Sequence, residues 1–307
     1  RPDRADHTAG KTLLELGAAR EIAGGPVADA GLAADFQALF AYQTDQPGMH
    51  ELMKELRAVI DEYDDRMLVG EADQIVYHGR GDDELHMVFN FPLMQTERLT
   101  PAWIRANQRQ LEVVDRPGAN QRQRLAELAA VSPDAWPCNT LGNHDSPRIK
   151  SRFGDGAHDD ELARLHLALL LTLRGTPFLY NGEEIGMTDL SLTDVEQFRD
   201  MLGVWAYQTA REVFHAPEEF ALKRASEVAR DKNRTPMQWE NATNGGFSPT
   251  GVQPWLPVNP NYAQGVNVAE QQADPASMLN FYRRMLRLRK ETPALIAGGY
   301  TPLHEDA

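Results

Sequence analysis

Two carboxylates follow short apolar runs, and their positions indicate acid–base chemistry. Glu71 comes directly after Leu68-Val69-Gly70, and Asp145 follows a second run that ends at Gly142. In parallel βα architectures, functional residues lie at the carboxyl ends of the strands. Two carboxylates that converge from different strands suit the cleavage of a glycosidic bond. One protonates the leaving oxygen, and another is the nucleophile or stabilises the oxocarbenium-like transition state.

Each acid also has a simpler interpretation. A glutamate after a strand is often a loop carboxylate or part of a helix start, where the helix dipole favours acidic groups. Asn143-His144-Asp145 also fits a turn followed by a helix cap, because Asn and Asp favour both positions. Position alone therefore leaves structural and functional roles open.

The elements that would position these acids alternate along the chain. Strands are predicted over four apolar runs, at 66–71, 85–91, 136–142 and 177–180. Apolar residues at helical spacing predict helices at 49–63, 160–173 and 277–289. This alternation favours a parallel sheet with strands buried on both faces.

Two further segments break the alternation. Residues 181–260 are rich in Gly, Pro, Asn and Trp, and we expect a long irregular segment of the kind that is usually functional. Residues 293–307 are expected to be short and extended.

The charge of the chain narrows the class of ligand. The 307 residues carry a net charge of −14, which disfavours nucleic acid and anionic membranes and suits a neutral substrate such as a sugar.

The longest apolar run, at 162–173, is shorter than the roughly 20 residues that span a bilayer. The single cysteine, Cys138, cannot form an intrachain disulfide. The first residues lack the apolar core of a signal peptide, so we expect a cytoplasmic location. Because the chain begins with Arg1, we also expect a fragment or a processed chain.

Four segments, in the same order along the chain, resemble motifs of the α-amylase family, glycoside hydrolase family 13. Residues 68–72 resemble its general-acid motif after the fifth barrel strand. Residues 141–149 resemble the Asn-His-Asp motif after the seventh strand, and 175–187 resemble the eighth-strand segment. Residues 230–239 resemble a signature of the α-glucosidase and oligo-1,6-glucosidase branch.

The resemblance implies specific roles for these residues. Glu71 would be the general acid and then the general base, and Asp145 would stabilise the transition state and bind sugar hydroxyls. His144 and Arg234 would bind the glucose of the substrate. Arg148 and Glu184 are expected to have structural roles near the site. An aromatic group at Phe247, Trp239 and Trp255 either stacks on sugar rings or fills a core.

The implied fold is an incomplete (β/α)8 barrel of the α/β class. Only strands five to eight and their helices are recognised, so residues 1–299 would form the second half of the barrel, and 300–307 would begin a C-terminal β-sheet domain. In the family, the nucleophile is an Asp two residues after an Arg, before the general acid. Arg1-Pro2-Asp3 and Arg4-Ala5-Asp6 both fit this spacing, and we assign Asp6 with Arg4 because a helix-like segment follows at a similar distance.

The expected activity is that of a retaining α-glucosidase acting on short oligosaccharides, without a cofactor or metal. A second interpretation is a glucosyl transferase or isomerase of the same family, such as a trehalose- or sucrose-converting enzyme. A third is an inactive fragment or a non-catalytic homologue. The residues leave the preferred linkage, α-1,4 or α-1,6, and the oligomeric state open.

Overall fold

The computed structural model describes residues 46–72, 75–89 and 136–298. The chain divides into two compact units. One consists of Arg1–Met49 and Ser191–Lys232, and the other of His50–Leu190 and Asn233–Ala307. The strands and every described residue of the candidate site belong to the second unit.

Four short strands form parallel pairs in the second unit. They are β1 (Val69–Gly70), β2 (Met87–Val88), β3 (Cys138–Thr140) and β4 (Thr176–Phe178). β1 pairs with β2, and β3 pairs with β4. A parallel bridge between Phe89 and Cys138 joins the two pairs, so the spatial order follows the chain order. The predicted strands are confirmed, and the carboxyl ends of all four lie at one edge of the sheet.

Eight α-helices accompany these strands in the described residues. In chain order they are α1 (Met49–Ile60), α2 (Ile149–Phe153), α3 (Asp159–Thr172), α4 (Met201–Gln208), α5 (Glu218–Val228), α6 (Val268–Ala273), α7 (Met278–Glu291) and α8 (Pro293–Ala297). The three helices predicted from apolar spacing are confirmed as α1, α3 and α7. None of the helices in the described ranges is long and apolar enough to cross a membrane.

Helices α3 and α7 pack against each other. Their contact is a buried cluster of Ala163, Leu167, Leu171, Met278 and Tyr282. Hydrogen bonds also join α7 to the end of α3 and the residues that follow it. The guanidinium of Arg289 donates to the carbonyls of Leu171 (2.6 Å) and Gly175 (2.5 Å). Carbonyls at the end of a helix lack partners within it, so Arg289 satisfies groups that burial would otherwise leave unpaired.

Two expectations from the sequence are wrong. The segment 181–260 is not irregular throughout, since it contains α4 and α5, and Asp200 caps the start of α4 by accepting a hydrogen bond from the amide of Leu202. The start of 293–307 is helical, because Pro293 occupies the first turn of α8, where its fixed φ suits a helix and its missing N–H costs nothing.

An ion pair with a buried carboxylate holds the two ends of residues 200–230 together. The guanidinium of Arg230 donates to both carboxylate oxygens of Asp200, at 2.8 and 2.9 Å, and the Arg230 amide donates to the same carboxylate. The Asp200 side chain is almost fully buried, whereas Arg230 is one-third exposed. These hydrogen bonds hold the pKa of Asp200 well below its usual range.

Replacement of Asp200 by alanine should therefore destabilise this unit. We expect the free energy of unfolding to fall by about 2–4 kcal/mol at pH 7, because Arg230 loses the buried carboxylate that it binds. The low pKa implies that the contribution of Asp200 is complete above the unfolded pKa of about 4 and fades as the pH falls further. Urea denaturation at pH 7 and pH 3 measures both effects. The control Glu219→Ala, at an exposed position of α5, should change stability by less than about 0.5 kcal/mol. Equal losses in the two variants would contradict the assignment.

Candidate functional site

The turn after β3 presents the predicted His144 and Asp145 to solvent. The side-chain oxygen of Asn143 accepts a hydrogen bond from the Asp145 amide at 2.8 Å, which closes the turn. The His144 and Asp145 side chains remain 63% and 36% exposed, and His144 Nε2 lies 3.6 Å from an Asp145 oxygen. Both groups are therefore accessible to a small ligand.

Arg234 binds this turn at two points. Its Nε donates to the carbonyl of His144 at 2.7 Å, and its Nη2 donates to Oδ1 of Asp145 at 2.5 Å. Both members of the Arg234–Asp145 ion pair are about one-third exposed, so water screens the attraction between them. The sequence placed Arg234 and Asp145 in one site, and the structure brings them into direct contact.

A polar layer lies beneath the turn. Arg148 is buried, with its guanidinium 4.7 Å from the centre of the Tyr180 ring, and it donates to the carbonyl of Asn181 at 2.9 Å. Burial lowers the pKa of the Arg148 guanidinium. Glu184 accepts a hydrogen bond from the Gly182 amide at 2.7 Å. Arg148 and Glu184 thus contact the backbone around the site, as their expected structural roles require.

Glu183 is a buried acid that the sequence analysis did not single out. Its carboxylate lies against Gly142 at the end of β3, where any side chain at position 142 would overlap it. Burial raises the pKa of Glu183 to about 7, although Arg148 and the amides of Ile149 and Tyr180 favour its charged form. The adjacent Glu183-Glu184 pair gives no pattern that distinguishes the buried acid from the partly exposed one.

Asn233 is a second residue that the sequence analysis missed. Its side-chain amide donates to the main-chain carbonyls of His144 (2.9 Å) and Asn143 (3.3 Å). The main-chain carbonyl of Asn233 accepts a hydrogen bond from the Tyr180 hydroxyl (3.0 Å). Its position beside Arg234 in the 230–239 motif was the available signal.

Glu71 lies at the carboxyl end of β1, at the same edge of the sheet as the turn after β3. It is exposed, and among the described residues it has no hydrogen-bond or ion-pair partner. The parallel strand order therefore places both predicted acids at one edge, with β2 between β1 and β3. The other two predicted residues, Arg4 and Asp6, lie outside the described residues.

Of the aromatic group, Trp255 lies beside Arg234, and Phe247 packs against the buried cluster of Ile185, Met187, Met237 and Leu279. The rings of Phe247 and Trp255 meet edge to face at 5.0 Å, and Trp255 Nε1 lies 3.4 Å from the carbonyl of Arg234. Trp255 is 57% exposed, so it does not simply fill a core.

Within the described ranges, no group of three His, Cys, Asp or Glu residues could hold a metal ion.

The raised pKa of Glu183 predicts a pH-dependent effect of Glu183→Gln. Burial disfavours the ionised acid in the folded protein, so wild type loses stability as the pH rises from about 4.5 through about 7. The neutral glutamine avoids this loss. We expect the variant to match wild type at pH 4.5 and to be more stable by about 3 kcal/mol above pH 8.

Thermal unfolding between pH 4.5 and pH 8.5 measures this difference, with the exposed Glu196→Gln as the control. A difference between Glu183→Gln and wild type that does not change with pH would contradict the prediction.

Comparison with known proteins agrees with this geometry. A family model described as the α-amylase catalytic domain matches residues 26–298. An α-glucosidase from Pediococcus pentosaceus is 34% identical over 274 residues, which cover 86% of this chain and 48% of that protein. An oligo-1,6-glucosidase from Halalkalibacterium halodurans is 34% identical over 273 residues, covering 86% of this chain and 47% of that protein.

Solved structures show the same likeness. The trehalulose synthase from Pseudomonas mesoacidophila MX-45 aligns with a TM-score of 0.69 at 31% identity, covering 85% of this chain and 47% of that one. A mutant of this enzyme has been solved in complex with its substrate sucrose. The present chain spans about half the length of the curated relatives that it matches. The match of the family model over most of the sequence shows that the chain belongs to the α-amylase family, glycoside hydrolase family 13, whose catalytic domain is a (β/α)8 barrel.

Proposed function

We propose that this chain carries the acid–base half of a retaining α-glucosidase that cleaves short oligosaccharides in carbohydrate metabolism. One observation carries the proposal: the Arg234-bound turn at Asp145 lies at the same sheet edge as the exposed carboxylate of Glu71. In this assignment β1 to β4 are barrel strands five to eight, residues 1–299 form the second half of the barrel, and 300–307 begin a C-terminal β-sheet domain.

Glu71 is the proton donor in the proposed reaction. It gives its proton to the glycosidic oxygen as the bond to the anomeric carbon breaks, and a carboxylate nucleophile forms an ester at that carbon. Glu71, now ionised, takes a proton from the water that attacks the ester, so glucose leaves with its anomeric configuration retained. We assign the nucleophile to Asp6, with Arg4 beside it.

Asp145, His144 and Arg234 bind the glucose ring in this proposal. An ionised Asp145 accepts hydrogen bonds from ring hydroxyls and offsets the positive charge of the oxocarbenium-like transition state. Because its ion pair with Arg234 is partly exposed, sugar hydroxyls can compete for both side chains. The exposed ring of Trp255 beside Arg234 offers an apolar face to a second sugar.

The relatives support a small neutral α-glucoside as the substrate. The curated relatives include α-glucosidases and oligo-1,6-glucosidases, and the trehalulose synthase mutant was solved with sucrose. The cytoplasmic location expected from the sequence stays a prediction.

The substitution Glu71→Gln, made in the full-length protein, tests the role of the acid. We expect kcat on maltose or isomaltose to fall by about 10³-fold, because glutamine cannot donate a proton to the leaving oxygen. The loss should be smaller when glucose is released from an aryl α-glucoside whose phenolate leaves readily. The ratio of the two losses is read from initial rates.

The control is Glu291→Gln, at an exposed position in α7, which should keep wild-type rates. Unchanged turnover in Glu71→Gln, or an equal loss with good and poor leaving groups, would overturn the role of Glu71.

A second candidate function is glucosyl transfer or isomerisation, which the likeness to a trehalulose synthase favours. Such enzymes use the same carboxylates and differ in how well the site excludes water. If the chain is hydrolytic, sucrose should yield mainly free glucose and fructose. Chromatography of the products that shows mostly isomeric disaccharides would instead assign an isomerase. Absence of any product from maltose, isomaltose and sucrose would support the non-catalytic alternative.

A further inference from the structure

Asn233 lies directly behind the turn that carries Asp145. Its side chain is buried, with 1% exposure. Within the part of the chain that the structure describes, its side-chain hydrogen bonds run from Nδ2 to two main-chain carbonyls of the turn, those of Asn143 and His144. An amide in this position acts on the backbone of the turn and leaves the side chains of His144 and Asp145 available to a ligand.

The His144 carbonyl accepts hydrogen bonds from two consecutive residues. Asn233 donates to it at 2.9 Å and Arg234 at 2.7 Å. The peptide group that contains this carbonyl leads directly into Asp145, so its orientation determines where the Asp145 side chain begins. The two donors fix the plane of this peptide group, and the second donor limits the rotation that one hydrogen bond alone would permit.

The main chain of Asn233 is bound by a residue that follows β4. The Tyr180 hydroxyl, which lies two residues after β4, donates to the Asn233 carbonyl at 3.0 Å. The Tyr180 ring lies against the buried guanidinium of Arg148. Asn233 therefore connects the segment after β4 to the turn after β3.

We propose that Asn233 is a positioning residue that sets the orientation of Asp145 for the reaction. This inference rests on the proposed function. A positioning residue differs from a buried amide that only stabilises the fold, because the effect of Asn233 on the rate must pass through Asp145. A displacement of about 1 Å at a reacting group can cost roughly 100-fold in rate, so the loss of this restraint should be visible in kcat.

The test compares Asn233→Ala with a matched control, Asn280→Ala, in the full-length protein. Asn280 also donates from Nδ2 to main-chain carbonyls, those of Gln271 and Asp274, but in the segment before α7. We expect Asn233→Ala to lower kcat by about 10- to 100-fold with KM within about threefold of wild type. Asn280→Ala should leave both constants within about twofold of wild type.

A double-mutant cycle with Asp145→Ala separates positioning from general destabilisation. Rates are measured with α-glucosyl fluoride, whose good leaving group keeps weak variants measurable. In the Asp145→Ala background, Asn233→Ala should change the rate by less than about twofold, because residues that act through one another are not additive. A full additional loss would overturn the inference.

Hydrogen exchange decides the inference independently of activity. The amides of residues 143–146 should exchange faster in Asn233→Ala than in wild type, and those of α7 should not change. If Asn233→Ala fails to fold, Tyr180→Phe removes the hydrogen bond to the Asn233 carbonyl with little change in volume and should show the same pattern. Unchanged exchange at 143–146 overturns the positioning role, whereas wild-type rates in Asp145→Ala overturn the proposed function.

Discussion

The contact of one guanidinium with the turn after β3 organises this site. Arg234 donates both to the main chain at His144 and to the carboxylate of Asp145, so it fixes where the turn lies and balances its charge. The fork geometry of arginine suits this double contact, which a lysine could not reproduce. Because the ion pair is partly exposed, it orders the free site without excluding a ligand from it.

The polar layer beneath the turn supports the contact between Arg234 and the turn. Arg148, Glu183 and Tyr180 are polar groups in a poorly hydrated region, and the shifted pKa values of all three have burial as their largest cause. Such groups cost stability on their own, so they favour a structure in which each finds a partner. Arg148 and Tyr180 find such partners in the main-chain carbonyls of Asn181 and Asn233, and the hydrogen bond from Arg148 joins the segments that follow β3 and β4. The buried polar groups lower the stability of the protein, and their hydrogen bonds fix the position of the turn.

The parts of this structure that follow a repeating pattern could be predicted from the sequence. Helices α3 and α7 have apolar residues at helical spacing, and the four strands are apolar runs between polar ends. Asp145 and Arg234 were found because each lies in a specific motif. Helix α4 was missed because its residues are apolar on most of its surface and its start depends on a single cap at Asp200. Asn233 and Glu183 were missed because a lone buried amide or acid has no periodic signature, and tertiary contacts alone reveal its role.

In the proposed reaction a glucose ring lies between the carboxylates of Glu71 and Asp145. The most direct test is a crystal structure of the full-length Glu71→Gln variant in complex with maltose or isomaltose. We expect the non-reducing glucose to hydrogen-bond to Asp145 and Arg234, with the glycosidic oxygen facing residue 71. A sugar bound in a well-ordered site that contacts neither residue 71 nor Asp145 would contradict the proposed roles of both acids.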